Sequence, residues 1–171
     1  MNSDTVDSFQ LYITRLHKDA TIPSYAHRSD AGMDVYAASD AVLHPGDTKL
    51  IPTGIAIAMP EGYEAQIRPR SGISLRTMLR IPNSPGTIDA GYRDEICIIM
   101  NNASQISSDS NPEHLLTLDE RMNRQGSYLI RKGDRIAQMV FAKVSRAQIS
   151  EVHTLDGIGI DRQGGFGSTG T

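Results

Sequence analysis

One acidic residue, Asp89, lies in a segment whose composition could place a carboxylate for catalysis. Residues 85–92 read Pro-Gly-Thr-Ile-Asp-Ala-Gly-Tyr, with two turn signals flanking an apolar pair. This pattern predicts a hairpin with Asp89 near its tip, where the carboxylate could act as general base for a water nucleophile. The alternative is an ordinary turn residue that bonds its own backbone, a common role for Asp. Tyr92 could likewise pack within the hairpin or form a flat wall against a sugar.

A second short cluster, Arg70-Ser71-Gly72, combines a guanidinium, a hydroxyl and bare backbone directly before a predicted helix. The N-terminus of a helix presents free N–H groups and a positive dipole, so this cluster could cradle phosphate. The alternative is that Ser71 is a plain N-cap and Arg70 a surface residue.

The last ten residues, 162–171, repeat this chemistry in a chain rich in Gly, Ser and Thr. Gly167, Ser168 and Thr169 offer backbone N–H groups and hydroxyls to phosphate oxygens, and Arg162 offers a planar charged clamp. Phe166 lies in a tail too rich in glycine to bury its ring, so the ring could stack on a nucleobase. The alternative is a terminus without fixed structure.

Composition excludes several other classes of function. The five histidines show no metal-ligand spacing and Cys97 is the single cysteine, which argues against a zinc site and a disulfide framework. Seventeen basic and twenty acidic residues give a net charge of −3 without a basic block, so a nucleic-acid-binding surface is not expected. No apolar run approaches the roughly 20 residues of a membrane span. The polar N-terminus does not resemble a signal peptide, and these features together predict a cytoplasmic protein.

Short strands must position these clusters. Residues 55–59 and 63–68 alternate between apolar and polar or small side chains, the period of a half-buried strand. Closely spaced turn signals without long helical patterns favour an antiparallel sandwich or barrel. The length of 171 residues suits a single domain, residues 1–171. Further strands are predicted over residues 95–100, 128–130, 136–144 and 149–155.

Two short helices complete the predicted elements. The first covers residues 73–80 after Ser71-Gly72, and the second begins at Asn111-Pro112 and runs to about Arg124. Because the second helix has polar flanks, we interpret residues 103–127 as a surface insertion.

Five clusters in order along the chain resemble the five motifs of the trimeric deoxyuridine triphosphatase (dUTP diphosphatase) family. They begin at Ala31-Gly32-Met33-Asp34, Arg68-Pro69-Arg70-Ser71-Gly72, Asn83-Ser84-Pro85-Gly86, Gly133-Asp134-Arg135 and Arg162-Gln163-Gly164-Gly165-Phe166. The resemblance implies an all-β, distorted jelly-roll-like barrel that forms a homotrimer, with three active sites at subunit interfaces. It implies Mg²⁺-dependent hydrolysis of dUTP to dUMP and diphosphate, which limits uracil incorporation into DNA and supplies dUMP for thymidylate synthesis.

The same resemblance implies a role for each matching residue. Asp89 would activate water for attack on the α-phosphorus, and Tyr92 would lie under the deoxyribose. Asp34 would support the metal ion indirectly, through water, and residues 162–171 would close over a neighbour's site. The uracil edge would be read by Asn83 and by backbone at Thr87, Ile88 and Cys97. The phosphate chain would be held by Arg70, Ser71, Gly72, Gln138, Arg162, Gly167, Ser168 and Thr169, with Phe166 stacked on uracil.

The chain differs from the family pattern in three places, and two other functions are alternatives. It has one residue fewer than usual between Arg162 and Phe166. It has Asp94 at a position where Gly is common, and it contains the insertion of residues 103–127. In the related dCTP deaminases a catalytic Glu follows the hairpin, and Ile99 occupies that place here, which disfavours deamination. A nucleotide-sensing regulatory protein is the rival from another class, although the retained Asp89 argues against a role without catalysis.

Overall fold

The computed structural model describes residues 8–105, 114–120 and 123–161. Within these residues the chain forms twelve β-strands and one short α-helix, labelled in chain order. The strands are β1 (Tyr12–Arg15), β2 (Gly32–Tyr36), β3 (Ala41–Leu43), β4 (Thr48–Pro52), β5 (Ile55–Ala58), β6 (Tyr63–Arg68), β7 (Leu79–Arg80), β8 (Gly86–Asp89), β9 (Cys97–Asn102), β10 (Leu115–Thr117), β11 (Ser127–Ile130) and β12 (Arg135–Lys143). The helix α1 (Ser71–Arg76) lies between β6 and β7. In the described part of the chain, no helix is long and apolar enough to cross a membrane.

Four small sheets enclose one core. The largest has the order β2-β12-β6-β8, and the others are β4-β9-β7, β10-β11-β3 and β1-β5. Each pairing is antiparallel except that of β10 with β11. Leu43, Ile55, Ile67 and Ile98 come from the four different sheets and belong to a single cluster of buried side chains. The predicted all-β fold of short strands is therefore confirmed.

The alternation in β6 explains how the largest sheet faces the core. Ala65 and Ile67 are buried, whereas Glu64, Gln66 and Arg68 lie on the opposite face, as the period-two pattern predicts. Burial of these apolar side chains supplies much of the stability of the sheet.

The first predicted helix is real but shorter and shifted, covering Ser71–Arg76 where residues 73–80 were predicted. Thr77 adopts an extended backbone, and its buried hydroxyl donates to the Ile73 carbonyl at 2.8 Å. The same Thr77 hydroxyl accepts from the Leu79 N–H at 3.1 Å. Leu79 is fully buried and continues as β7 against β9, so burial of its side chain ends the helix.

The second predicted helix, residues 111–124, is wrong in the described residues 114–120. This stretch contains strand β10, which pairs in parallel with β11. Leu116 is only 3% exposed, so its side chain joins the core. Burial of this leucine at a sheet edge outweighs the local helix signal of Asn111-Pro112.

The predicted strand over residues 149–155 is also wrong. Residues 144–161 follow β12 as an arm without a strand partner among the described residues. Apolar side chains along this arm point into solvent, with Ile149 94% and Ile160 99% exposed. The alternating apolar pattern is present, but residues 8–105, 114–120 and 123–161 provide no strand for it to pair with.

Candidate functional site

A cavity of about 760 Å³ lies beside the N-terminus of α1. Arg70, Ser71 and Gly72 form one wall, as expected for a phosphate cradle. The N-cap is Arg70 without a side-chain cap bond, and Ser71 is the first helical residue, so the interpretation of Ser71 as an N-cap is wrong. The remaining lining residues are Tyr36, Ile73, Arg76, Leu118, Asp119, Gly133, Asp134 and Arg135.

A buried carboxylate orients the arginines of this cavity. Asp34 in β2 is 6% exposed, and its Oδ1 accepts from the Arg70 Nε at 2.9 Å. Its Oδ2 accepts from the Arg135 Nη1 at 3.1 Å, and the Arg70 Nη1 donates to the Arg135 carbonyl at 3.3 Å. One carboxylate shared by two guanidiniums leaves a net charge of +1 in this cluster, which suits an anionic ligand. The lining carboxylates Asp119 and Asp134 both pair with Arg131.

The sequence motifs assign no individual role to Arg135. Its guanidinium pairs with Asp34, 101 positions away in sequence. The available signal was the position of Arg135 inside the fourth of the five clusters.

Gln138 lies on an inner strand of the largest sheet, next to the strand that carries Asp34. In β12 it is in register with Asp34 of β2 on one side and Arg68 of β6 on the other, so these three side chains share one face. A Cβ on Gly32 would lie 3.4 Å from the Gln138 Cβ and 3.2 Å from the Val140 Cγ2. The glycine therefore leaves space for the Gln138 side chain next to Asp34.

The segment carrying Asp89 differs from the predicted hairpin. β8 pairs with β6, and β9 pairs with β4 and β7, so the two strands do not form a ladder with each other. The outer edge of β8, which includes Thr87 and Ile88, has no strand partner among the described residues. Because each strand is held by a different sheet, the backbone groups of this edge remain available for a ligand.

Asp89 ends β8 and is exposed. Its carboxylate makes no hydrogen bond or ion pair with any residue that the structure describes. Its backbone carbonyl accepts from the Tyr92 N–H at 3.0 Å, which forms the turn after the strand. An exposed carboxylate without a partner on a rigid strand end can accept a proton from a bound water.

Asn83 packs on the backbone at the start of β8. A Cβ on Gly86 would lie 3.0 Å from the Asn83 Nδ2, so a larger residue there would require the amide to shift. The Asn83 side chain is exposed, and its donors and acceptor lie beside the start of the unpaired β8 edge.

Tyr92 presents part of its ring to solvent, with 39% of the residue exposed. Its hydroxyl donates to the Glu95 carbonyl at 3.0 Å. Partial desolvation raises the pKa of the Tyr92 phenol, and the negative charges of Asp94 and Glu95 add to this effect. Tyr92 is therefore neutral near pH 7.

Burial likewise raises the pKa of the Cys97 thiol, with a smaller effect from Glu95, so Cys97 is not a reactive thiolate.

The predicted site residues fall into two groups in a single chain. Asp34, Arg70, Ser71, Gly72 and Gln138 gather at one end of the largest sheet, and Arg70, Ser71 and Gly72 line the cavity. The second group lies within residues 83–97, and none of its members lines the cavity: Asn83, Thr87, Ile88, Asp89, Tyr92 and Cys97. Glu64 lies opposite Asp89 and Arg68 opposite Gln138, so Asp89 and Gln138 are about 13 Å apart along β6. Arg162, Phe166, Gly167, Ser168 and Thr169 lie outside the described residues.

The family model for dUTPase matches residues 18–108 and 122–170, which is most of the sequence. The chain belongs to the dUTPase family. Two deoxyuridine 5'-triphosphate nucleotidohydrolases illustrate the likeness in sequence. The one from Gloeothece citriformis is 40% identical over 94% of this chain and 97% of its own length, and the one from Clostridium tetani is 42% identical over 95% and 97%.

Solved dUTPase structures share the fold. A mutant dUTPase from Staphylococcus bacteriophage 80alpha with dUpNHpp has a TM-score of 0.84 and 32% identity, covering 95% of this chain and 99% of that one. A mutant dUTPase from S. aureus phage phi11, which reveals the coordination of a structural Mg(II) ion, has a TM-score of 0.78 and 31% identity, covering 85% and 97%. These dUTPases confirm the jelly-roll-like barrel suggested by the motifs.

The dUTPase family model leaves residues 109–121 unmatched, inside the predicted insertion 103–127. This stretch contains β10, and its Leu118 and Asp119 line the cavity beside Arg70. Asp119 also pairs with Arg131, with 2.5 Å between the Asp119 Oδ2 and the Arg131 Nη2. The described part of the unmatched stretch therefore contacts residues that the family model does match.

Proposed function

We propose that the protein hydrolyses dUTP to dUMP and diphosphate by attack of a water molecule on the α-phosphorus, with Asp89 as general base. The observation that supports this most strongly is the exposed Asp89 carboxylate at the end of β8. Among the described residues, neither this carboxylate nor the outer edge of the strand has a partner. In a member of the dUTPase family, this edge would bind the nucleobase, and this carboxylate would bind the attacking water.

The base would bind along the outer edge of β8. Uracil presents two carbonyl acceptors and one N–H donor, and the backbone of Thr87 and Ile88 offers the complementary groups of an unpaired strand. The Asn83 amide and backbone at Cys97 would complete the set. The Tyr92 ring would lie under the deoxyribose and leave no space for a 2′-hydroxyl.

The triphosphate would bind at the wall formed by Arg70, Ser71 and Gly72, with Gln138 beside it. Asp34 holds the Arg70 guanidinium by its Nε, which fixes the plane of the group before substrate arrives. From the tail, Arg162 would clamp the γ-phosphate and Phe166 would stack on uracil. Gly167, Ser168 and Thr169 would wrap the phosphates.

The chemical step needs one proton transfer by the protein. Asp89 takes a proton from water as the water oxygen forms a bond to the α-phosphorus. The bond between the α-phosphorus and the oxygen bridging to the β-phosphorus breaks, and diphosphate leaves with that oxygen. Positive charge from Arg70 stabilises the charge that develops on the phosphate chain.

The residues present fit a Mg²⁺ ion that is carried mainly by the substrate. Among the residues that the structure describes, no three His, Cys, Asp or Glu side chains come together to hold a metal. Mg²⁺ keeps several waters and commonly binds through nucleotide phosphates with few protein ligands. Both Asp34 oxygens bond to arginines, so Asp34 would meet the ion only through its water shell. When bound, the ion would neutralise charge on the phosphate oxygens.

A homotrimer with shared sites would reunite the two groups of residues. The separation of about 13 Å along β6 keeps Asp89 of one chain away from the phosphate wall of the same chain. The arm of residues 144–161 also carries exposed Ile149, Leu155 and Ile160, apolar area that a second copy would bury. We therefore propose that each site lies between subunits and that the tail of one subunit closes over a neighbour's site. We further propose that the enzyme is cytoplasmic.

Mixing two inactive chains tests the crossing tail. One chain carries Asp89→Asn with an intact tail, and the other retains Asp89 but ends before Arg162, so each homotrimer should be nearly inactive. If tails cross between subunits, some mixed trimers join an intact Asp89 to an intact tail, and dUTP hydrolysis should reappear after subunit exchange. Absence of recovered activity, with exchange confirmed by mass, would refute the crossing tail and leave the hydrolase assignment intact.

Product analysis tests the reaction itself. Incubation with dUTP and Mg²⁺ should release dUMP and diphosphate in equal amounts, whereas dUDP with orthophosphate would contradict attack at the α-phosphorus. Deoxyuridine products from dCTP would indicate the related deaminase. That outcome is not expected, because the aliphatic Ile99 cannot shuttle protons.

A further inference from the structure

Glu95 connects the segment that carries Tyr92 to the interior of the barrel. The residue is half-buried, and its carboxylate Oε1 accepts from the Gly54 backbone N–H at 2.7 Å. Gly54 is buried in the turn between β4 and β5, so without Glu95 this N–H group would lack its acceptor. A buried donor without an acceptor is unfavourable, which makes this bond a strong constraint on the position of residue 95.

The turn that receives Glu95 is itself fixed. Gly54 has a φ of +69°, and a Cβ there would lie 2.7 Å from the Ala20 Cβ, so other residues would not fit. The Gly54 carbonyl accepts from the Leu16 N–H at 2.8 Å. Next to it, the buried Thr53 hydroxyl donates to the Ile96 carbonyl at 2.5 Å. Residue 95 is thus anchored to a turn that has little freedom to move.

The other side of Glu95 is connected to Tyr92. The Glu95 backbone carbonyl accepts the Tyr92 hydroxyl at 3.0 Å, while the Tyr92 N–H donates to the Asp89 carbonyl at 3.0 Å. The ring is therefore fixed at both ends, by the turn after Asp89 and by residue 95. The bond from the Glu95 side chain to the Gly54 turn helps to hold the backbone carbonyl that accepts this hydroxyl, together with the bonds of the neighbouring Ile96 backbone to Thr53 and Ile55.

We propose that Glu95 is a positioning residue that holds the Tyr92 ring against the sugar and so determines the preference for deoxyribose over ribose. The inference rests on the proposed function, in which Tyr92 lies under the deoxyribose. Exclusion of a single hydroxyl requires a wall that does not yield, because a ring that moves slightly makes room for the oxygen. Glu95 would act through Tyr92 alone, without touching the substrate.

Three variants separate this role from a general structural one. Glu95→Ala removes the acceptor of the Gly54 N–H, whereas Glu95→Gln keeps an oxygen at the same place. Asp94→Ala is the matched control, because it removes a neighbouring exposed carboxylate whose charge also acts on Tyr92. The measurement is kcat/KM for dUTP and for UTP, compared as a ratio, together with the melting temperature of each variant.

The expected result is a fall of about tenfold or more in the dUTP/UTP ratio for Glu95→Ala, caused mainly by faster use of UTP. Glu95→Gln and Asp94→Ala should stay within about threefold of the unmodified protein. An unchanged ratio in a folded Glu95→Ala protein would overturn the inference, and so would an equal fall in the Asp94→Ala control.

Tyr92→Phe keeps the test decisive if Glu95→Ala does not fold. Loss of the hydroxyl that donates to Glu95 should lower the same ratio, and Glu95→Ala should add little in the Tyr92→Phe background. A Tyr92→Phe protein with full preference for dUTP would overturn the inference. If the unmodified protein does not hydrolyse dUTP, the proposed function fails. If it hydrolyses dUTP and the variants keep the preference, only the role of Glu95 fails.

Discussion

Asp89→Asn is expected to lower kcat for dUTP by at least ~10²-fold with KM largely unchanged. The amide keeps the shape of the side chain but cannot take a proton from water. Because the Asp89 carboxylate has no partner among the described residues, its replacement breaks no recorded contact and should leave stability unchanged. Initial rates of diphosphate release across a range of dUTP concentrations separate kcat from KM.

Asp94→Asn is the matched control for this loss, since it makes the same change at an exposed carboxylate five residues along the same segment. Its kcat should remain near that of the unmodified protein. Near-normal turnover in Asp89→Asn would remove Asp89 from its role as base.

Preference for dUTP over dTTP, dCTP and UTP is the second large effect, and we expect at least ~10²-fold in kcat/KM against each competitor. The methyl group of thymine would clash with a base slot formed by backbone. Cytosine replaces a carbonyl acceptor with an amino donor and would leave a backbone N–H unpaired. The additional hydroxyl of UTP would meet the Tyr92 ring.

A panel of the four nucleotides at equal concentration, each assayed for diphosphate release, measures these ratios. The rate with dUTP, measured at a limiting concentration of the same protein, serves as the reference. Turnover of dTTP comparable with that of dUTP would contradict the proposed base slot.

The parts of the fold that sequence could predict are those determined by local pattern. The alternation over residues 63–68 matches β6 residue by residue, and residues 136–144 differ from β12 by one position at each end. In both strands the buried face is encoded by side chains within the strand itself, so no knowledge of distant partners is required.

The errors occur where a distant contact decides the structure. Residues 149–155 have a strand pattern but no strand partner in the described part of the chain. Leu116 joins a sheet through burial of its side chain, in spite of the helix signal at Asn111-Pro112. The turn signals of residues 85–92 predict a hairpin, yet β8 and the next strand, β9, pair within different sheets. Periodicity describes a strand and says little about which strand it joins.

The candidate site shows the same division. The motif residues Arg70 and Asp89 could be singled out because their neighbours in sequence carry the signal. The contact of Asp34 with Arg70 and Arg135 joins three separate segments, and that of Glu95 with Gly54 joins two. Such contacts depend on the arrangement of the sheets, which short motifs do not contain.

The most direct test of the proposed reaction is the fate of the attacking oxygen. Hydrolysis of dUTP in water labelled with heavy oxygen, followed by mass spectrometry of both products, shows which phosphorus was attacked. Attack at the α-phosphorus, next to Asp89, places the label in the phosphate of dUMP and leaves diphosphate unlabelled. Label in diphosphate, with none in dUMP, would contradict the mechanism proposed for this protein.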